Sequence, residues 1–166
     1  MGNIGLIRVD DRLIHGQVVT SWITQTGSTK IIIIDDELYE NDYMKDVFAV
    51  AAPRGIPVDV MKVEQAVEVW KENQFNNATV LILLKKISAL KNVYEKGLKY
   101  GSVQIGGLAS GAGKKRVVKA IALSDQDAAD LKQLLDHGVD VYIQSMPGEK
   151  KVSAKSILEK YFKNLV

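Results

Sequence analysis

Ile31–Ile34 and Thr79–Leu84, reading IIII and TVLILL, decide how this chain folds. In both runs neighbouring residues are apolar, so a strand built from them presents apolar side chains on both faces. A strand with one face in water would alternate apolar and polar residues instead. Apolar faces on both sides belong to a parallel sheet covered by helices above and below. Further short runs rich in β-branched residues lie at Ile4–Ile7, Pro57–Met61, Ser102–Ile105, Val117–Leu123 and Val139–Gln144.

Between the runs lie segments of helical period. Gly16–Thr26 puts Val18, Val19, Trp22 and Ile23 on one face, and Glu64–Asn73 carries Ala66, Val67 and Trp70. Tyr43–Ala52 stops before Pro53, and Ser88–Leu98 follows the fourth run. Ser124 and Asp127 have the spacing of an N-cap pair opening Asp125–Asp136, with Gly138 near its stop, and Ser153–Asn164 closes the series. This alternation predicts one doubly wound α/β domain over residues 1–166, with a mostly parallel seven-stranded sheet, helices on both faces and a central first strand. The rhythm breaks once. The segment GGLASGAGKKR (106–116) is too short for a crossover helix, so the strand near Val117–Leu123 is expected to run antiparallel or to sit at an edge.

Composition narrows the function. At 166 residues the chain is long enough to bury a core without staples, and it has no cysteine for disulfides, thiolate metal ligands or a thiol nucleophile. Lysine and arginine total 22 against 20 acids, a balance of +2 that does not point to nucleic acid or an anionic membrane. The start, MGNIGLIRVDD, does not read as a signal peptide, and no apolar run approaches the roughly 20 residues of a membrane helix. A soluble, cytoplasmic protein is expected.

The chemistry concentrates in Arg8-Val9-Asp10-Asp11-Arg12-Leu13-Ile14-His15-Gly16-Gln17-Val18. With strand one ending near Arg8 or Val9 and a helix starting near Gly16, His15 falls in the first strand-to-helix loop. That loop lies at the carboxyl edge of the sheet, where open α/β sheets bind ligands. The N–H groups of Gly16, Gln17 and Val18 would be unpaired at the helix start and would favour an anion. Neutral imidazole is a nucleophile, and phosphoryl transfer depends on positioning and charge stabilisation. Arg8 and Arg12 supply guanidinium groups suited to phosphate oxygens, and Gly16 allows close backbone approach. Asp10 and Asp11 oppose an incoming anion, so one of them should pair with an arginine or orient the imidazole. The plain alternative is a surface histidine beside locally paired charges.

Other features compete. Asp35 and Asp36 close the second strand and could serve as an aspartyl phosphoacceptor of receiver type, although capping of the next helix explains them more simply. The loop at 106–113 fits neither the P-loop nor the dinucleotide fingerprint, and reads as a turn near the site. His137 before Gly138 suits a helix end, Trp22 and Trp70 suit the core, and Ser145–Gly148 suits a turn.

The string RVDDRLIHGQV resembles the active-site loop of the IIB components of the bacterial sugar phosphotransferase system, mannose/fructose/sorbose family. The likeness continues through IIIIDDELYENDYMKDVFAVAAPRGIPV, VLILLKK, the QIGG turn at Gly106 and Gly107, and KAIAL. It implies a relay in which a IIA phosphohistidine protein phosphorylates His15, on Nδ1 by the family pattern. His15 then passes the group to a sugar held by membrane IIC and IID subunits. It implies roles for Arg8, Arg12 and Asp10, with Lys85, Gly106 and Gly107 as further contributors, and no metal or cofactor. The residues alone leave the ring nitrogen open, and exposed helix faces leave a homodimer open.

Overall fold

The computed structural model describes residues 3–165. In chain order the strands are β1 (Asn3–Asp10), β2 (Lys30–Ile34), β3 (Val58–Met61), β4 (Thr79–Leu84), β5 (Ser102–Gly107), β6 (Lys114–Val118), β7 (Ile121–Ser124), β8 (Asp140–Ile143) and β9 (Val152–Ser153). The α-helices are α1 (Gly16–Thr26), α2 (Asp36–Tyr39), α3 (Asp42–Ala51), α4 (Val63–Asn73), α5 (Ile87–Lys96), α6 (Asp125–Asp136) and α7 (Ala154–Tyr161). The main sheet has seven strands in the order β3-β2-β4-β1-β5-β8-β9, parallel throughout except for β9. The first strand is central, as expected.

The apolar runs do what their composition requires. Ile32, Ile34, Val80, Ile82 and Leu84 point into one core, with α4, α5, α6 and α7 packed on it. Ile31, Ile33, Leu81 and Leu83 point to the other face, where α1 packs through Val19, Trp22 and Ile23. Burying each such side chain stabilises the fold by about 1.5–3 kcal/mol relative to exposure, so a polar residue in β2 or β4 would be costly whichever face it occupied.

The strand expected near Val117–Leu123 does run antiparallel, but outside the main sheet. Val117–Leu123 is not a strand of the main sheet but the tip of an antiparallel hairpin, β6–β7, which forms its own two-stranded sheet. Lys119 and Ala120 make its turn, and Ala120 adopts a left-handed φ of 66°. The antiparallel member of the main sheet is instead the short edge strand β9, paired with β8.

Several local predictions hold. The α6 start has a full capping box, with Asp127 N–H donating to Ser124 Oγ and Ser124 N–H donating to Asp127. His137 is the C-terminal cap of α6 and packs on Tyr94, ring centroids 5.6 Å apart. Asp35 caps α2 by accepting from Leu38 N–H, and Asp36 accepts from Val63 N–H at the start of α4. Both acids are thus engaged in holding helix starts. Among the described residues no helix is long and apolar enough to cross a membrane.

Candidate functional site

The loop between β1 and α1 leaves the sheet at the carboxyl edge, and chirality of packing decides its setting. α1 lies on one face of the sheet, whereas β4 leads to α5, and β5 leads through the β6–β7 hairpin to α6, both on the other. Chain segments diverging to opposite faces open a crevice at the strand ends, and ligands of open α/β sheets bind in such crevices. The loop is pinned from three sides. Asp11 N–H donates to Gly107 O, Asp11 Oδ2 accepts from Ala109 N–H, and Leu13 N–H donates back to Asp10 O. Leu13 holds a left-handed φ of 56°, unfavourable for leucine, while its side chain is buried beside Trp22 and Ile23. Burial keeps the strained residue in place, and the strain sits two positions from His15.

Asp10 is the hub of the site. Its side chain is completely buried, and five donors converge on it. Oδ1 accepts from the backbone N–H and the Nε of Arg12, each at 3.0 Å. Oδ2 accepts from Arg12 Nη2 at 3.0 Å and Arg8 Nη2 at 3.2 Å, and lies 3.0 Å from Nε2 of His15. Burial works against ionisation of Asp10, but the hydrogen bonds from Arg12 and His15 and the charge of Arg8 outweigh it. The carboxyl therefore titrates below the ordinary aspartate range. The same pairing raises the pKa of Arg12, while burial lowers that of Arg8.

The two arginines are not equivalent. Arg12 is half exposed, and of its guanidinium group Nε and Nη2 are bound to Asp10. Arg8 is 1% exposed; Nη1 donates to the side chain of Gln104 and to Gln144 O, and Nη2 to Asp10. Arg8 was expected to help hold the phosphoryl group; its guanidinium is instead sealed in the sheet, with Nη1 and Nη2 engaged by Gln104, Gln144 and Asp10. Gly106 and Gly107 make room for the cluster. A Cβ on Gly106 would stand 2.1 Å from Arg8 Cζ, and one on Gly107 would stand 2.9 Å from Arg12 Nη2 and 3.1 Å from Asp10 Oδ1.

His15 is partly exposed, and as N-cap of α1 its side chain forms no capping bond. Gly16 and Gln17 are exposed and Val18 half-buried, and the first turn of α1 holds no acid to occupy its N–H groups. Gly16 has a φ of 51°, and a Cβ there would meet nothing within 4 Å. Backbone conformation, more than a crowded approach, is what asks for glycine here. Lys85 lines a cleft of about 320 Å³ with Asp11, Leu13 and Glu37. The structure brings Arg8, Asp10, Arg12, His15, Gly106 and Gly107 together, and adds Gln104 and Gln144, which the sequence did not single out. The available signal was a glutamine inside a strand of otherwise buried apolar and glycine residues, Val103 to Gly107.

The model of the family described as "PTS system sorbose subfamily IIB component" matches residues 4–165. The chain belongs to this IIB family. The sorbose-specific EIIB component of Klebsiella pneumoniae is 33% identical over 150 residues, covering 90% of this chain and 92% of that protein. The crystal structure of the IIBSor domain of the sorbose permease from the same organism superposes with a TM-score of 0.91 at 31% identity, covering 96% and 98% of the two chains. The mannose-specific EIIAB component of Escherichia coli (strain K12) is 30% identical over 157 residues, which are 95% of this chain but 49% of that one. The chain thus spans about half the length of that curated relative. The IIB fold accounts for the architecture, and the buried Asp10 hub shows how this member holds its loop histidine.

Proposed function

We propose that this IIB protein is a phosphohistidine relay of the sugar phosphotransferase system. It accepts a phosphoryl group on His15 from a IIA partner and passes it to a sugar entering through membrane IIC and IID partners, working on the cytoplasmic side. One observation carries the reading: the Nε2···Asp10 Oδ2 contact of 3.0 Å, made to a buried carboxylate already held by two arginines. An ionised carboxylate accepts and cannot donate, so Nε2 must carry the proton. In the neutral ring that leaves the lone pair on Nδ1.

The chemistry follows from that tautomer. Nδ1 attacks the phosphorus of the donor phosphohistidine, a new N–P bond forms, and the old N–P electron pair returns to the donor imidazole. The positive charge gained by the His15 ring is shared with Asp10 through Nε2–H. In the second step a sugar hydroxyl attacks phosphorus, the N–P pair returns to Nδ1, the hydroxyl proton passes to water, and His15 is left as the neutral Nε2–H ring. Arg12, whose outer Nη1 is turned to no partner in the Asp10 cluster, and the amides of Gly16, Gln17 and Val18 are the groups offered to phosphoryl oxygens. Partial exposure of His15 suits a ring that must meet a donor and an acceptor in turn.

The test is labelling by the phosphorylated IIA protein. The chain should take up one label that is acid-labile and stable to base, and His15→Ala should take up none. Label retained in that variant would overturn the assignment. Label removed by base and lost in Asp35→Asn or Asp36→Asn would favour a receiver-type acceptor instead.

A further inference from the structure

We propose that Gln104 and Gln144 are positioning residues for His15, acting through Arg8 and Asp10 along one hydrogen-bonded chain of fixed direction; the proposal rests on the relay reading above. The chain can be followed atom by atom. Arg8 Nη1 donates to Gln104 Oε1, Gln104 Nε2 donates to Gln144 Oε1 at 3.3 Å, and Gln144 Nε2 donates to Glu149 O at 2.8 Å. In the other direction Arg8 Nη2 donates to Asp10 Oδ2, the oxygen that faces His15 Nε2.

Arginine sets the polarity of this chain because it has donors only. It forces Gln104 to present its carbonyl oxygen, which leaves the Gln104 amide N–H for Gln144, which in turn leaves the Gln144 amide N–H for a backbone carbonyl. No member can flip without placing two donors or two acceptors face to face in a buried site. Gln104 is completely buried and Gln144 is 8% exposed, so water cannot repair such a mismatch cheaply. Every buried side-chain polar atom among the described residues is satisfied.

The chain aims a charge. The Arg8 guanidinium fills the space beside Gly106, and its contact with the Trp22 ring, 5.8 Å from Cζ, is too loose to fix its plane. The two acceptors on Nη1, Gln104 Oε1 and Gln144 O, fix it, so that Nη2 falls on Asp10 Oδ2. Trp22 itself is tied to the same region, its Nε1 donating to Ser145 O at 2.9 Å. Arg12 secures Asp10 from the exposed side and Arg8 from the buried side, and the carboxylate is thereby held with Oδ2 toward Nε2 of the imidazole. Loss of the buried support frees Asp10 to turn toward Arg12, and His15 is then free to carry its proton on either nitrogen.

The test reads the ring directly. In alkaline solution, where imidazole is neutral, long-range proton–nitrogen NMR spectra of the wild-type protein should show His15 as a single Nε2–H tautomer. Gln104→Met keeps the volume and removes the amide. It should give a mixture of both tautomers and slow phosphoryl acceptance from phosphorylated IIA roughly tenfold, the share of one hydrogen bond to a charged group. The KM for the donor should not move, because Gln104 is buried and touches no partner. Gln144→Met should act in the same direction but less, since its backbone carbonyl still holds Arg8, and it serves alone if Gln104→Met does not fold. An unchanged tautomer in the folded variants, or a rate loss carried by KM, would overturn the proposal. If the wild-type protein takes no label from IIA, the relay reading fails, while the tautomer spectra still decide the role of the glutamines.

Discussion

Replacing Gly106 with alanine tests the buried half of the site through a single methyl group. The new Cβ would lie 2.1 Å from both Cζ and Nη2 of Arg8 and 2.6 Å from Nε. Carbon atoms in contact prefer about 3.5–4.0 Å, so the guanidinium would have to recede by more than about 1 Å. It has nowhere to go: the side chain is 1% exposed and tied to Gln104, Gln144 and Asp10. Overpacking alone costs about 1–3 kcal/mol. Parting Arg8 from Asp10 leaves buried charge uncompensated, which costs about 3–5 kcal/mol. Both costs arise from one displacement, so about 3–5 kcal/mol is expected in total, a large part of the roughly 5–15 kcal/mol that stabilises a domain. Urea unfolding followed by tryptophan fluorescence measures it, with Gly113→Ala as the control. Gly113 has a φ of 74° but open space at its Cβ, so that control should lose only about 1 kcal/mol. A Gly106→Ala protein within about 1 kcal/mol of wild type would show that Arg8 does not lie against this glycine.

Asp10→Asn should destabilise the protein by about 3–5 kcal/mol at neutral pH, because it leaves Arg8 buried without its counter-charge. The folded state holds the Asp10 carboxyl below its ordinary value of 3.8, so its contribution is complete above that value and lost as pH falls through the depressed one. Unfolding midpoints of variant and wild type should therefore converge in strong acid, and a pH-independent gap would contradict this. Leu13→Gly relieves the left-handed backbone but removes a buried side chain, and the second effect should win, with a net loss of about 2 kcal/mol by urea unfolding. A stabilised variant would mean the strain dominates. Ser124→Ala, which breaks the capping box of α6, should cost about 1 kcal/mol and lower the thermal midpoint. Gly107→Ala presses on the outer end of half-exposed Arg12, so it should cost less stability than Gly106→Ala when the two are unfolded side by side.

Local chemistry explains which parts were legible. Gly16–Thr26 is helical over the span its apolar face marks, and the Ser124–Asp127 pair caps α6 as its spacing requires. Arg8, Asp10, Arg12 and His15 lie within eight residues, so a single turn can fold them onto one another. The hairpin was hidden because Ala120, in the left-handed conformation, carries none of the glycine or asparagine signal that marks a tight turn. β9 was hidden because two residues have no periodicity to read.

By itself the amino-acid order determined the class of fold, since runs apolar on both faces have nowhere to go but a covered parallel sheet. It also determined which residues are close to His15 along the chain. Only the tertiary structure decided that Arg8 is sealed inside and Arg12 is not, and that Gln104 and Gln144, 96 and 136 positions away, direct the buried guanidinium. The physical reason is distance along the chain. Propensity and spacing act over a few residues, whereas burial and the direction of a hydrogen bond are set by whichever strands the sheet brings side by side.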